Sequence, residues 1–198
     1  MMIAQKVLFL VLDGISDRPC EALDGKTPLA AARTPVLDRI AAEGVCGIMD
    51  TISPGIRPGS DTSHLSLLGY PPQDYYTGRG PLEAEGTGIH MTAGMIGFRC
   101  NFATVDENGV VTDRRAGRIS GTEPLAEAIR DGVDLSSLGL EFRFNSGAGH
   151  RAALALVGEG LGDKVSSNDP KMEGFRPPEI RACTDDPADA KTARACNE

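Results

Sequence analysis

Two residues stand where chemistry would be expected. Asp13 closes the apolar run Val7-Leu8-Phe9-Leu10-Val11-Leu12 and is followed by Gly14, while Ser60 follows Pro58-Gly59 and opens the helix-like stretch Ser60 to Gly69. A carboxylate at a strand end can hold a divalent metal, the metal lowers the pKa of a hydroxyl, and a helix N-terminus favours the anion that forms; the pair therefore suits phosphoryl or sulfuryl transfer. A strand-end Asp and a serine N-cap are also commonplace structural features, so spacing alone leaves both readings open. His64 lies one helical turn beyond Ser60, on the same face, where it either meets the same anion or serves packing and capping.

A second group is cationic. Asp113-Arg114-Arg115-Ala116-Gly117-Arg118 sets three guanidinium groups within five residues. Their forks match carboxylate and phosphate oxygens, which suits a small polyanion; the alternative is a surface cluster neutralised by Asp106, Glu107 and Asp113. His150-Arg151 follows the turn Ser146-Gly147-Ala148-Gly149 and reads either as a cationic pair for an anion or as a solvated turn. His90 has no assignable partner.

The elements that must position these groups follow from pattern. Val7 to Leu12 reads as a buried parallel strand with Asp13 at its carboxyl end, where ligand sites of open α/β sheets lie. Thr34-Pro35 supplies an N-cap and an N1 proline for a helix with Val36, Leu37 and Ile40 on one stripe. Gly44 stands as a C′ glycine, and Val45 to Met49 reads as a second strand. Strand, helix and strand in that order predict a right-handed crossover and a parallel sheet. Residues 51–59 and 70–88 read as loop-rich connectors around the Ser60 helix.

From about Met91 the texture changes. Ile96 to Val105 reads as a strand, Glu107-Asn108-Gly109 as a hairpin turn and Val110 to Thr112 as the return strand. Pro124 to Ile129 predicts a short helix, Glu141 to Asn145 and Ala152 to Val157 two further strands, Ser166 to Pro178 a linker, and Pro187 to Cys196 a helix that stops without a cap.

Composition bounds the answer. The chain has 198 residues, 40% hydrophobic and 24% charged, with no Trp, 24 Gly and 13 Pro, an α/β composition with shaped loops. The balance of 28 Asp+Glu against 20 Lys+Arg, a net charge of −8, argues against a nucleic-acid or anionic-membrane surface. Five cysteines without a CxxC or CxxH spacing indicate free thiols rather than disulfides or structural zinc. The N-terminal apolar run is too short to span a bilayer and carries no cleavage site, so a soluble cytoplasmic protein is expected.

Longer blocks carry a resemblance. Val11-Leu12-Asp13-Gly14, Gly25-Lys26-Thr27-Pro28-Leu29, Ile52-Ser53-Pro54-Gly55-Ile56-Arg57-Pro58-Gly59-Ser60-Asp61-Thr62, Tyr75-Tyr76-Thr77-Gly78-Arg79-Gly80-Pro81, Arg99-Cys100-Asn101-Phe102-Ala103-Thr104 and Asp113 to Ile119 resemble the archaeal-type, 2,3-bisphosphoglycerate-independent phosphoglycerate mutases of the alkaline phosphatase superfamily. The resemblance implies an α/β fold: residues 1–88 as the N-terminal part of a phosphatase-like core with parallel strands, 89–178 as an inserted, smaller α+β substrate-binding domain, and 179–198 as a return connector and the start of a core helix.

It also implies an isomerase of glycolysis and gluconeogenesis that moves a phosphoryl group between the 3- and 2-positions of glycerate through a phosphoserine. Ser60 matches the nucleophile, and Asp13 with Ser60 the metal ligands. The resemblance assigns Arg114, Arg115 and Arg118 to the substrate, joined by His150 and Arg151, with His64 as an anion contact. Two divalent cations are implied, manganese first, with magnesium, cobalt or zinc as alternatives, and no 2,3-bisphosphoglycerate. Members of the family are about double this length and carry their remaining Asp and His ligands in the second half. The expectation is therefore a partial chain that needs a missing C-terminal half and is inactive alone, acting on a small-molecule substrate with no nucleic acid or membrane partner, and open to homo-oligomerisation. Two other readings stand beside it: a homoserine kinase-like phosphotransferase, and a non-catalytic module that binds a phosphorylated acid.

Overall fold

The computed structural model describes residues 6–198 and is a mixed α/β chain that divides into two compact units, Met1–Tyr76 and Thr77–Glu198. Among the described residues no helix is long and apolar enough to cross a membrane.

The first unit holds α1 (Pro28–Ala31), α2 (Pro35–Glu43), α3 (Ser60–Leu67) and α4 (Pro72–Tyr75). Pro28 and Pro35 occupy first-turn positions, where a missing N–H costs nothing. Thr27 caps α1, its Oγ1 accepting the Ala30 N–H at 3.1 Å. Thr34 stands at the head of α2 as its N-cap, yet its hydroxyl donates to the Asp38 carboxylate at 3.0 Å instead of capping. Gly44 ends that helix with extended backbone rather than as a left-handed C′ glycine. A Cβ there would sit 2.8 Å from the Ile40 carbonyl oxygen, so close approach explains the glycine.

The expected parallel strands are absent from this unit. Val7 to Leu12 and Val45 to Met49 join no ladder, and their side chains are exposed, Leu8 at 89% and Val45 fully. A parallel strand needs a hydrogen-bonded neighbour and a covering helix on each face. Between Lys6 and Tyr76 the described residues offer one isolated bridge, Cys20 with Lys26, and none of them is buried.

The second unit is built differently. α5 (Arg79–Gly86) precedes β1 (Ile96–Asn101), β2 (Thr104–Val105) and β3 (Val111–Asp113); then come α6 (Glu123–Gly132), β4 (Glu141–Ser146), β5 (Arg151–Val157) and α7 (Pro187–Ala195). β1, β5 and β4 form an antiparallel sheet with β5 central, pairing Phe98 with Leu154 and Leu154 with Phe144. β2 and β3 form a small hairpin around Glu107-Asn108-Gly109, tied by the Asp106 carboxylate to the Asn108 and Val110 amides.

The alternation of β5 sorts the core. Ala153 and Ala155 face α5 with Ala84 and Ile89, whereas Ala152 and Leu156 face the other side with Ala126 of α6, Phe144, Leu135, Leu140 and Ala195 of α7. Small residues let the helix approach: a Cβ on Gly80 would fall 1.9 Å from the Gly97 carbonyl oxygen, so α5 lies directly on β1. That contact explains a helix in the Gly- and Pro-rich sequence read as a connector. On the opposite side Glu123 accepts from Arg130 and Ser146, each at 2.6 Å, while Arg130 also donates to the Phe144 carbonyl, and α6 is fastened to β4. Asp186 caps α7 through the Ala188 amide, and the Asn197 side chain bonds both the N–H and the C=O of Ile180.

Candidate functional site

In the first unit, Gly59 is the N-cap of α3 and Ser60 its first residue. Thr62 Oγ1 accepts the Gly59 N–H at 3.0 Å and fixes the helix start. Ser60 is exposed, and its Oγ–H donates to Asp13 Oδ2 at 2.8 Å across 47 residues of sequence. Gly14, at φ 78°, turns the chain directly after Asp13, a conformation suited to glycine. The hydroxyl and carboxylate picked from sequence are therefore in direct contact at a helix N-terminus.

His64 is held one turn below. With its proton on Nδ1 it donates to the Ser60 carbonyl, which leaves Nε2 as the other ring position for contact. Asp61 receives the Tyr76 hydroxyl, and Thr51 and Ser63 share a hydrogen bond. Among the described residues no group of three or more His, Cys, Asp or Glu side chains is gathered as a metal site requires. Asp13 and Ser60 supply two hard oxygen donors, too few to hold a divalent cation by themselves.

In the second unit the arginine loop is shaped by Asp113. Its carboxylate accepts the Arg115 and Gly117 amides, each at 2.7 Å, and these two bonds, the Arg115 one foremost, hold its pKa below the usual carboxylate value. Ala116, Gly117 and Arg118 follow with φ of 46°, 63° and 56°, so the chain reverses sharply and carries Arg115 and Arg118 on its rim. Arg151, Arg115, Arg99 and Arg118 act together on His150, whose pKa is lowered first by burial and then by these four cations. Residues spread over 52 positions thus make one cationic patch on an acidic chain.

Arg114 points elsewhere. Its Nε and Nη2 fork onto Asp169, with contacts of 3.1, 2.9 and 2.6 Å, and Asp169 is held at a pKa of about 2, by the Arg114 bonds first and then by Lys171 against the opposing effect of burial. The neutralising acid expected near Arg114 is therefore Asp169, from the supposed linker, rather than Asp106 or Glu107. Arg114, Asp169 and Lys171 line a cavity of about 1150 Å³ together with Arg99 and Asn101. Arg99 Nε is buried there without a hydrogen bond, 3.8 Å from Glu83. His90 pairs with Glu85 and belongs to neither group.

Sequence reasoning missed Arg99 and Asp169. A lone arginine inside the apolar strand Ile96 to Cys100 was the readable signal for the first. Nothing local distinguished Asp169 from its polar neighbours.

Comparisons with known proteins give the chain its relatives. A family model described as 2,3-bisphosphoglycerate-independent phosphoglycerate mutase matches residues 41–198. The chain is 87% identical over 197 residues to the protein of that name from Methanoculleus marisnigri, covering 100% of this chain and 48% of that one. It is 54% identical over 193 residues to phosphoglycerate mutase 1 of Methanothermobacter thermautotrophicus, with 97% and 47% covered. A solved cofactor-independent phosphoglycerate mutase from Thermoplasma acidophilum matches with TM-score 0.58 and 46% identity, covering 94% of this chain and 48% of that one. The chain spans about half the length of the curated relatives it matches.

Proposed function

The chain belongs to the 2,3-bisphosphoglycerate-independent phosphoglycerate mutase family, and from that premise we propose that it carries the nucleophile and a substrate-binding unit of an enzyme interconverting 3- and 2-phosphoglycerate. That activity is an isomerisation of glycolysis and gluconeogenesis. The observation that carries the reading is the 2.8 Å contact between Ser60 Oγ and Asp13 at the head of α3.

Ser60 Oγ bonds phosphorus as the bond from phosphorus to the glycerate 3-oxygen breaks, and glycerate takes up the proton the serine gives. On return the 2-oxygen bonds phosphorus as the bond from phosphorus to Ser60 Oγ breaks, and the 2-hydroxyl proton goes back to Ser60. Asp13 orients the hydroxyl, and the positive end of the α3 dipole favours the anionic phosphoserine. Arg115, Arg118, Arg151, His150 and Arg99 would hold the carboxylate and phosphate of the substrate, with Arg114 forked onto Asp169 behind them. His64 would meet the phosphoryl group through Nε2.

Two divalent cations, manganese first and magnesium, cobalt or zinc otherwise, belong to this reading; bound, they would neutralise phosphoryl oxygens and acidify the serine. Asp13 and Ser60 are the donors this chain would contribute, and the rest must come from outside the described residues. The phosphatase-like core with parallel strands is likewise a proposal: Val7 to Leu12 and Val45 to Met49 would enter a sheet completed by polypeptide equivalent to the unmatched half of the relatives. No 2,3-bisphosphoglycerate enters the cycle.

The test is conversion of 3- to 2-phosphoglycerate with manganese by the chain alone and after addition of the half of the Methanoculleus marisnigri relative that it does not span. Activity appearing only in the mixture, and lost in Ser60→Ala with its phosphoserine, is expected. Full activity of Ser60→Ala in the mixture would overturn the assignment. A second reading rests on a separate observation: the second unit has its own buried core and the cationic patch, so it would bind a phosphorylated acid without turnover. Calorimetry with 3-phosphoglycerate checks it, and heat of binding that survives Ser60→Ala but not Arg115→Ala is its signature.

A further inference from the structure

The segment after β5 is a strap rather than a linker. Its base is closed by the bridge between Val165 and Ala182 and by the Ser166 N–H donating to the Arg181 carbonyl at 2.8 Å. Its far end zips onto β3: the Val111 N–H donates to the Phe175 carbonyl at 3.0 Å, and the Gly174 N–H to the Val111 carbonyl at 2.9 Å. Between these points Asp169 takes the guanidinium of Arg114, and Glu173 accepts the Arg114 amide at 3.4 Å.

Asp169 is itself held rigidly. Its N–H donates to Ser167 Oγ at 3.1 Å, and its carboxylate accepts the Lys171 amide at 2.9 Å and the Lys171 ammonium at 3.3 Å. The strap therefore grips the residue directly before Arg115, where the arginine loop leaves β3. From within, that loop is held by Asp113 and by the Arg118 and Ile119 N–H groups donating to the Arg115 and Ala116 carbonyls at 2.8 and 3.0 Å. Ala116 and Arg118 both sit at positive φ, a strained conformation for L-residues, and an outside support adds to these internal bonds in keeping the loop in one shape.

We propose that Asp169 is a positioning residue, which by forking Arg114 fixes the loop Asp113 to Arg118 in the shape that presents Arg115 and Arg118 beside His150. The proposal deepens the reading of that patch as the anion site and predicts a sign that charge alone does not. Removing a carboxylate next to a cationic patch should tighten anion binding if only Coulomb attraction matters. If Asp169 positions the loop, the same change weakens it.

The experiment uses the 198-residue chain, inorganic phosphate as probe, and the variants Asp169→Asn and Asp169→Glu. Calorimetry gives the affinity, and amide hydrogen exchange reads Arg115 and Gly117 against Leu156 as internal standard. The expected result for Asp169→Asn is affinity lower by about threefold to tenfold and faster exchange at Arg115 and Gly117 with Leu156 unchanged, both partly restored in Asp169→Glu. Tighter phosphate binding, or exchange at Arg115 and Gly117 unaltered, overturns the proposal. If the parent chain binds no phosphate, the anion reading fails, and the exchange result alone then decides the positioning role.

Discussion

Leu8 and Leu156 lie in two apolar runs of similar length and stand at opposite extremes, 89% and 0% exposed. Val7 to Leu12 is the more hydrophobic run and forms no strand; Arg151–Val157, with three alanines among its seven residues, is the centre of a sheet. The difference lies in where the partners are. β5 pairs with β4 through the short turn from Gly147 to His150, so its first neighbour comes at little loop-closure cost and its second, β1, completes both edges. Val7 to Leu12 requires neighbours that Met1–Tyr76 does not contain among its described residues. Hydrophobicity marks a segment as needing cover, and strand structure follows only where the chain supplies it.

The largest expected effect is a split in protection between the two units. Amides of Ala153, Ala155 and Leu156 should exchange on the order of a thousandfold more slowly than those of Val7 to Leu12. All three tyrosines, Tyr70, Tyr75 and Tyr76, lie in the first unit, so tyrosine fluorescence should show no cooperative melt where circular dichroism shows one. A single transition seen by both probes would end the comparison. Adding the unmatched half of a relative should protect Val7 to Leu12, which is how the proposed sheet completion becomes measurable.

Next in size are paired core substitutions. Leu156→Ala removes a fully buried side chain and should cost about 3 kcal/mol of second-unit stability. Leu8→Ala should change stability by less than about 0.5 kcal/mol in the isolated chain. Denaturant titration followed by circular dichroism checks both, and equal effects would show that the first unit has a core after all.

The same contrast governs what sequence could reveal. The strands and helix from Ile96 to Val157 were legible because each carries its own local signal, such as the turn Asn108-Gly109 and the apolar run of β5. The single strand read over Ile96 to Val105 is nevertheless β1 and β2, and the pairing of β1 with β5, Ile96 opposite Leu156, was not readable. The Ser60 and Asp13 pair was legible as chemistry, and the structure sets the two side chains in contact across 47 residues. α5 was not legible, because Gly80 and Pro81 signal a loop until the approach to Gly97 is known. The strap was missed for the same reason: Asp169 acquires meaning only through Arg114, 55 residues away. The expected parallel strands followed from sound local pattern, and what the pattern could not contain was the neighbour.

A smaller effect tests the cationic patch. Arg115→Ala and Arg118→Ala should each weaken sulfate binding by about threefold to tenfold, less at high salt because both side chains are exposed. Sulfate does not titrate near neutrality, so its pH dependence reports the protein. His150 is held below its ordinary 6.5 by burial and by Arg151, Arg115, Arg99 and Arg118. A bound anion offsets those cations, raises the His150 pKa and draws in a proton, so affinity should rise as pH falls. That rise should vanish in His150→Asn; persistence would mean that another group carries it.

The smallest effect concerns how the strap holds in acid. Asp169 has a folded pKa of about 2 against an ordinary 3.8, set first by the Arg114 fork. Because the folded value is the lower one, the unfolded chain takes up its proton first as pH falls. The stabilisation from this pair is therefore present above 3.8 and is lost as pH falls toward about 2. The difference in second-unit Tm between the parent and Asp169→Asn should accordingly be constant at higher pH and shrink across that window. It should amount to a few degrees at most, since the carboxylate keeps 31% of its side-chain exposure and water screens the pair. A difference that stayed constant down to pH 2 would mean that Asp169 stabilises the strap through shape rather than charge.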